Sequence, residues 1–448
     1  MHTLCERKKC GAKRCKHQLS SYARLKLLRE KRNAILGITT PKGFKATGMH
    51  CGLRRNASRK DLALIFCEKE CNAAGVYTTN TVTGAPVKVT KEHLANGKAR
   101  AIIANSANAN SCAPNGIENA KKVCEVLADE LGIDADDVIV ASTGVIGVEL
   151  NVQKIIDAVP ELVSRLGPDG KHAAAHAIMT TDVAVKMADK RVEIDGKDVW
   201  ISAIAKGNGM LHPKLATTLC FITTDCDINS ELLREALRHC VKMSINRVTI
   251  DGDMSTNDMW TCLASGLAGN EPIIDESDKN YEIFRAALME ISVDIAKQVA
   301  KDGEGSTKLI VCQVKNMDTE ENAALLAKTV VRSTLVKTAM FAEDANWGRV
   351  LAALGKGSVY FDPNKVNISF RGAYDEHKKV FDEIELCRNG YGLEFNEMEA
   401  RSILSSHEVT IICDMNMGGA QGEAYGCDLT HDYIRITGDY RKKTSLLG

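Results

Sequence analysis

Short apolar runs that break off in polar, glycine-bearing loops alternate along this chain with Ala-rich amphipathic stretches, and that alternation restricts it to an α/β fold. DLALIF (61–66), AAGVYTTNTV (73–82), ARAIIANS (99–106) and VIVASTGVIG (138–147) read as strands. GIENAKKVCEVLADELG (116–132) reads as a helix with Val123, Val126, Leu127 and Leu131 on one face. HAAAHAIMTTD (172–182) is a further predicted helix, and KRVEIDGKDVWISAIAKG a hairpin turning at Asp195-Gly196. From residue 217 the pattern restarts with the strand TTLCFITTDC and the helix SELLREALRHCVKMSI. The helix YEIFRAALMEISVDIAKQVAKDG (281–303) and the strand TKLIVCQVK follow. No internal repeat, low-complexity tract or long linker interrupts the series. A chain of 448 residues exceeds one ordinary core, so two or three domains are expected.

Charge and composition exclude several classes of function. Lys+Arg 58 balances Asp+Glu 58, so no global field draws the chain to nucleic acid or an anionic membrane. An aromatic share of 5% argues against a base-stacking surface. No apolar run approaches the ~20 residues that span a bilayer. The first residues lack the apolar core of a secretory signal, so a cytoplasmic protein is expected. Many of the sixteen cysteines sit in apolar runs, among them Cys67, Cys220, Cys312 and Cys413, and read as reduced core thiols.

Residues 1–36 stand apart as a basic, Cys-containing extension, with eleven Lys or Arg against Glu6 and Glu30. Cys5, Cys10, Cys15 and His17 lack the close C-x2-C pair of structural zinc, so a solvated tail or short helix is the plainer reading. A mitochondrial transit peptide is the third, which in a eukaryote would put the protein in the matrix.

The segment KGNGMLHPKLATTLCFITTD (206–225) is the least ordinary. Gly207, Gly209 and Pro213 give the backbone special freedom and restraint just before Ala216-Thr217, although a threonine opening a strand is commonly only a β-former. Four polar loops follow predicted strands or helices: NSANANSC (105–112), STGVIG (142–147), DGDMSTND (251–258) and DGEGSTK (302–308). STG at 142–144 offers backbone N–H groups suited to an oxyanion hole, or simply a glycine turn. DGDMSTND is not a calcium loop, because Thr256 replaces the turn glycine and Cys262 the bidentate Glu. GEGSTK lacks P-loop spacing. No metal and no cofactor are called for.

Taken in order, ten stretches resemble the bifunctional glutamate N-acetyltransferase/ornithine acetyltransferase family of arginine biosynthesis. They run from TTPKGFKATGMHCGLRRNASRKDLALI through NSANANSC, STGVIG, MTTD, KGNGMLHPKLATTL, DGDMSTND and DGEGSTK to DANWGR and CDLTHDYIRITGDYR, with AAGVYTTNTVTGAPV among them. The resemblance implies a helix–sheet–sheet–helix α/β core with a second, smaller α/β lobe. It implies a precursor that cleaves itself between Ala216 and Thr217 into an α chain (37–216) and a β chain (217–448). Thr217 would then be the nucleophile, its freed α-amino group serving as base. An acetyl group would pass from N-acetylornithine to Thr217 and on to glutamate, with acetyl-CoA as an alternative donor. Thr143 and Gly144 match the family's oxyanion-hole pair, and Thr180, Lys206, Thr217 and Glu304 its substrate contacts. The α and β chains would stay associated, and an (αβ)2 dimer or larger assembly is implied.

The resemblance breaks at the C-terminus. Where relatives carry an Asn and, five residues on, a Ser or Thr, this chain has Thr437 and Lys442. Either Thr444 or Ser445 supplies the hydroxyl from a shifted tail, or the exchanged amino acids differ. Two other readings stay open: a self-processed amidase or aminopeptidase, and a relative that folds without cleaving.

Overall fold

The structure, a computed structural model, describes residues 36–212, 218–375 and 380–439. The basic extension, the cleavage-site pair Ala216 and Thr217, and Lys442 therefore lie outside the described residues, as do Thr444 and Ser445. The chain from Gly37 onward forms a unit of its own.

Its first part is β1 (Phe44–Met49), β2 (Leu62–Tyr77), α1 (Ala85–His93), β3 (Lys98–Asn105), α2 (Gly116–Leu131), β4 (Val138–Ser142), α3 (Val152–Ser164) and α4 (Lys171–Ile178). Next come β5 (Lys186–Ile194), β6 (Lys197–Lys206), β7 (Leu219–Thr224), α5 (Ser230–Met243), β8 (Met259–Ala264) and α6 (Lys279–Lys301). The eight strands form one hydrogen-bonded sheet in the order β4-β3-β2-β8-β7-β6-β5, with β1 paired to β2.

That sheet folds over on itself at β2. Its first half pairs with β1 and β3, a register shift follows between Phe66 and Cys71, and its second half pairs with β8. Two layers result, and side-chain alternation along the strands shows what each face covers. Ala63, Ile65, Ile102 and Ala104 share an inner core with Ile204, Phe221, Met259 and Leu263. Leu62, Leu64, Ile103 and Val140 face α1, α2 and α3 on one outside, where Val123 and Leu127 are buried and Val126 and Leu131 pack alongside. Ile201, Ala203, Cys220, Ile222 and Trp260 face α5 and α6 on the other. The order is helix, sheet, sheet, helix.

Local chemistry fixes the element ends. Asn229 caps α5 by accepting from the Leu232 N–H at 2.8 Å, and Asp278 caps α6 by accepting from the Asn280 N–H at 2.8 Å. Asp195 and Gly196 take φ values of +52° and +68°, the left-handed pair a tight hairpin needs between β5 and β6. The predicted strand at 73–82 is the second half of β2 and ends at Tyr77, and the predicted helix at 172–182 ends at Ile178, leaving Thr180, Thr181 and Asp182 in a loop.

The second lobe is drawn wholly from the chain after residue 217. It comprises β9 (Leu309–Met317), α7 (Glu320–Arg332), α8 (Thr334–Phe341), α9 (Trp347–Gly355), β10 (Asn367–Asp375), β11 (Val380–Arg388), β12 (Tyr391–Gly392), α10 (Glu397–Leu404), β13 (Glu408–Asp414), β14 (Ala420–Cys427) and α11 (His431–Gly438). Its six-stranded sheet runs β12-β11-β10-β13-β9-β14. Leu309, Val311 and Tyr425 of this sheet join the core around α6, which ties the lobes together. Among the described residues no helix is long and apolar enough to cross a membrane, and no His, Cys, Asp and Glu cluster suits a metal ion. Cys67, Cys220, Cys312 and Cys413 are buried free thiols.

Candidate active site

Several strand ends meet at one edge of the layered core. β6 runs out at Lys206 opposite the start of β7, where Lys206 pairs with Leu219. Beside them β8 begins at Met259 and β2 ends at Tyr77, again as paired residues. β3 and β4 end in parallel at Asn105 and Ser142. The loops that leave these ends enclose a cavity of about 410 Å³, lined in part by Thr143, Gly144, Thr180, Lys206, Glu304 and Thr437. All the sequence-derived site residues within the described region thus share one cavity of a size for a small ligand. Thr218, the neighbour of Thr217, lines it as well.

Gly144 is required where it stands. Its φ is +134°, and a Cβ there would lie 2.2 Å from the Ala107 carbonyl carbon and 2.6 Å from the Asn108 nitrogen. The backbone N–H of Thr143, one of the donors expected at 142–144, is already given to the Asn105 carbonyl at 3.0 Å. The Thr143 hydroxyl is not so engaged: it accepts from Lys206 Nζ at 3.3 Å, which leaves its own proton to donate. The groups this turn can offer to a ligand in the cavity are therefore the Thr143 hydroxyl and the Gly144 N–H rather than the Thr143 N–H.

Lys206 is buried, and no carboxylate among the described residues forms an ion pair with it. Burial pulls its ammonium below the usual lysine range, the Asp182 charge working against that and the Lys186 charge with it. Asp182 is buried too. It accepts from Lys186 Nζ at 2.7 Å, from the Gly207 N–H at 2.8 Å and from the Thr180 N–H at 2.8 Å. Burial alone would raise its pKa, but the charges of Lys186 and Lys206 hold the carboxyl well below the ordinary aspartate range. Lys186 also pairs with Asp302 at 2.6 Å, so one buried ammonium joins the loop after α4 to the loop after α6. Thr180 and Glu304 are held on those two loops.

Glu304 accepts from the Thr181 hydroxyl at 2.6 Å, and its N–H donates to the Asn208 carbonyl at 2.8 Å. Burial raises its pKa, with Thr181 and Lys206 opposing and Asp251 and Asp182 reinforcing. Asp251 takes the Met210 and Leu211 N–H groups at 2.6 and 2.9 Å, clamping the chain just before residue 213. Asp258 also lines the cavity, and burial pushes its carboxyl up to about 8 despite Ser255 and Lys206. Thr437, on α11, gives its hydroxyl to the Tyr433 carbonyl at 2.7 Å. Asp182, Asn208, Asp251, Asp258 and Tyr433 were not singled out from the sequence. Asp251 and Asp258 stand in the DGDMSTND loop already flagged as polar, and that was the available signal.

Lys206 is the one basic side chain in the described lining, against Asp251, Asp253, Asp258 and Glu304. The described lining therefore offers a single anion anchor, hydroxyl and amide donors, and an acidic surround suited to ammonium groups.

A family model described as the ArgJ family matches residues 45–442. An arginine biosynthesis bifunctional protein ArgJ from Caldanaerobacter subterraneus subsp. tengcongensis is 43% identical over 405 residues, covering 90% of this chain and 98% of the relative. One of the same name from Thermotoga neapolitana is 44% identical over 404 residues, covering 90% and 99%. Among solved structures, an arginine biosynthesis bifunctional protein argJ from Bacillus halodurans aligns with 37% identity and a TM-score of 0.45, over 49% of this chain and 98% of that one.

Proposed function

This chain belongs to the ArgJ family, and from that premise we propose that it is a self-cleaving acetyltransferase of arginine biosynthesis, moving an acetyl group from N-acetylornithine to glutamate. The observation that carries the reading is the convergence of Thr143, Gly144, Lys206 and Glu304 on one cavity beside Thr218, one residue from the proposed nucleophile.

In the precursor the Thr217 hydroxyl attacks the Ala216 carbonyl, the peptide nitrogen leaves as an amine, and water hydrolyses the resulting ester. An α chain of 37–216 and a β chain of 217–448 result. The freed α-amino group takes the hydroxyl proton as Thr217 attacks the acetyl carbonyl of N-acetylornithine. The Thr143 hydroxyl and the Gly144 N–H suit the oxyanion that forms. Collapse expels the ornithine amine, which carries the proton away, and leaves acetyl-Thr217. The glutamate amine attacks that ester, and N-acetylglutamate departs. No cofactor enters these steps, and acetyl-CoA is an alternative donor for the first half.

Lys206 suits the substrate carboxylate, and Glu304, with Asp251 and Asp253 nearby, suits an ammonium. That acidic surround supports ornithine, with its second amine, as the leaving half of the donor. Thr180 and Thr437 would complete the contacts, with Lys442 beyond. The buried free thiols support a reducing compartment, the cytoplasm or, in a eukaryote, the mitochondrial matrix. An (αβ)2 or larger assembly belongs to the same reading.

Intact-mass measurement tests the first step. Wild-type protein is expected as two fragments meeting at Ala216 and Thr217, and Thr217→Ala as one inactive chain. Uncut but active wild-type protein would remove Thr217 as the nucleophile. N-acetylornithine and acetyl-CoA offered separately, with glutamate as acceptor, then fix the donor.

A further inference from the structure

β7 is paired on both sides only as far back as Leu219, which faces Lys206 of β6 and Met259 of β8. Thr218 is the next residue outward, between the last rung of the sheet and the proposed cut, and it is fixed by contacts of its own. Its carbonyl accepts from the Met259 N–H at 3.0 Å. Its hydroxyl accepts from Trp260 Nε1 at 2.8 Å. A Cβ on Gly207 would lie 2.6 Å from its methyl carbon, so the end of β6 passes Thr218 with no room for a side chain. Thr218 is itself buried.

The roles in the indole contact are fixed by chemistry. An indole nitrogen only donates, so the hydroxyl oxygen is the acceptor. Trp260 is fully buried, in the core that Cys220 and Ile222 share with α5 and α6, where an unpaired N–H is costly. It pairs in register with Cys220, and Thr218 and Cys220 stand on one face of an extended chain. The indole therefore reaches back along β7, past the last rung, to a residue the ladder no longer holds. Threonine is branched at Cβ and stiff at χ1, so a hydroxyl held in one place restrains the backbone that carries it.

We propose that Trp260 is a positioning residue for the nucleophile: through the Thr218 hydroxyl it fixes the direction in which the chain leaves the sheet toward residue 217. This rests on the reading of Thr217 as the nucleophile. An error at Thr218 is carried across one peptide unit to the reacting hydroxyl, and a misplacement of about 1 Å there costs on the order of 10²-fold in rate. Lys206 and Glu304 stand on other segments of the chain and keep their places. The loss therefore falls on self-cleavage and on kcat, and KM is spared.

Thr218→Val keeps the branched shape and removes the acceptor, Thr218→Ser keeps the acceptor, and Trp260→Phe removes the donor. Cleavage is followed by intact mass from the moment of synthesis, and acetyl transfer from N-acetylornithine to glutamate is measured on fully cut protein. Thr218→Val and Trp260→Phe should each slow cleavage and kcat by about ten- to a hundredfold, with KM within about twofold of wild type. Thr218→Ser should follow wild type. The double variant Thr218→Val with Trp260→Phe should be no slower than the slower single one, because both break one contact. Val241→Ala is the control for stability. It opens the same core from α5, and should lower the urea midpoint while leaving cleavage and kcat alone. If valine is refused by the fold, Trp260→Phe carries the test. Wild-type rates in Thr218→Val or Trp260→Phe would overturn the proposal, as would Thr218→Ser failing like valine, or Val241→Ala losing kcat to the same degree. A wild type that cuts itself beside such unaltered variants sinks the Trp260 role alone, whereas a wild type that neither cuts nor transfers acetyl sinks the acetyltransferase reading and this role with it.

Discussion

Replacing Gly144 by alanine separates catalysis at the proposed oxyanion turn from simple stability. The new methyl group would meet backbone rather than a side chain: the Ala107 carbonyl carbon at 2.2 Å, its oxygen at 2.3 Å and the Asn108 nitrogen at 2.6 Å. Ordinary contact begins at 3.4 Å, so the 142–145 turn has to back away from 107–108 by more than an ångström. A displacement of about 1 Å at a reacting centre costs roughly 10²-fold, and loss of one oxyanion donor costs about 10² to 10³ in kcat, or about 2.7–4 kcal/mol. Gly144→Ala should therefore lose 10² to 10³ in kcat by these estimates, with KM for N-acetylornithine changed far less. Gly147→Ala is the control. Its φ is +78°, equally left-handed, but nothing lies within 4 Å of the added Cβ. It should lose about 1 kcal/mol of stability from backbone strain and keep its kcat. Initial rates of acetyl transfer and thermal melts on the same preparations give both quantities. A Gly144→Ala enzyme within about threefold of wild-type kcat, or equal kcat losses in both variants, would refute the assignment.

Three further perturbations follow from the buried charges. Asp182→Asn should cost about 3 kcal/mol at neutral pH by urea unfolding, because Lys186 keeps only Asp302. Since the Asp182 pKa is depressed, that stabilisation is present above the ordinary aspartate range and lost as pH falls through it, so the gap to wild type should narrow below about pH 4. A pH-independent gap would contradict it. Asp258 is the opposite case. With its carboxyl raised to about 8, its contribution is full at low pH and lost as pH rises toward 8, so Asp258→Asn should gain melting temperature relative to wild type across that interval. A gain that shrinks with rising pH would be the wrong sign. Lys206→Met should lose roughly ten- to a hundredfold in kcat/KM yet keep or gain stability, because it removes a buried charge that lacks an ion-pair partner. A large loss of stability would show that the ammonium serves the fold.

What the sequence disclosed was local. The Asp195-Gly196 turn and the 281–303 helix, found as Lys279–Lys301, rest on turn chemistry and a 3.6-residue period that need no knowledge of the rest of the chain. The candidate residues Thr143, Gly144, Thr180, Lys206, Glu304 and Thr437 were legible through a resemblance spread over many short stretches, and they do converge on one cavity. What stayed hidden depends on register and distance. DLALIF and AAGVYTTNTV look like two strands because polar CEKEC lies between them, yet β2 carries through and serves both layers. Nothing in the pattern near Leu309 announces that β9 pairs in parallel with β13 beginning at Glu408. Asp258 reads as loop polarity until β7 and β8 close around it. The Thr143 backbone N–H looked available as an oxyanion donor, and only the β3–β4 pairing shows that it is already taken.

The pairing of β6 with β7 bears on how the two halves can be handled. β7 is an interior strand, with β6 on one side and β8 on the other, and residues 201–206 pair with 219–224 across the proposed cut. A break between Ala216 and Thr217 would therefore nick a finished sheet rather than create two proteins that dock. Neither fragment would have a surface to offer the other until the central strands were zipped, so separately produced halves should fail at folding and not at association. Reconstitution would call for co-denaturation and joint refolding, whereas the intact precursor sets the register first and is severed afterwards.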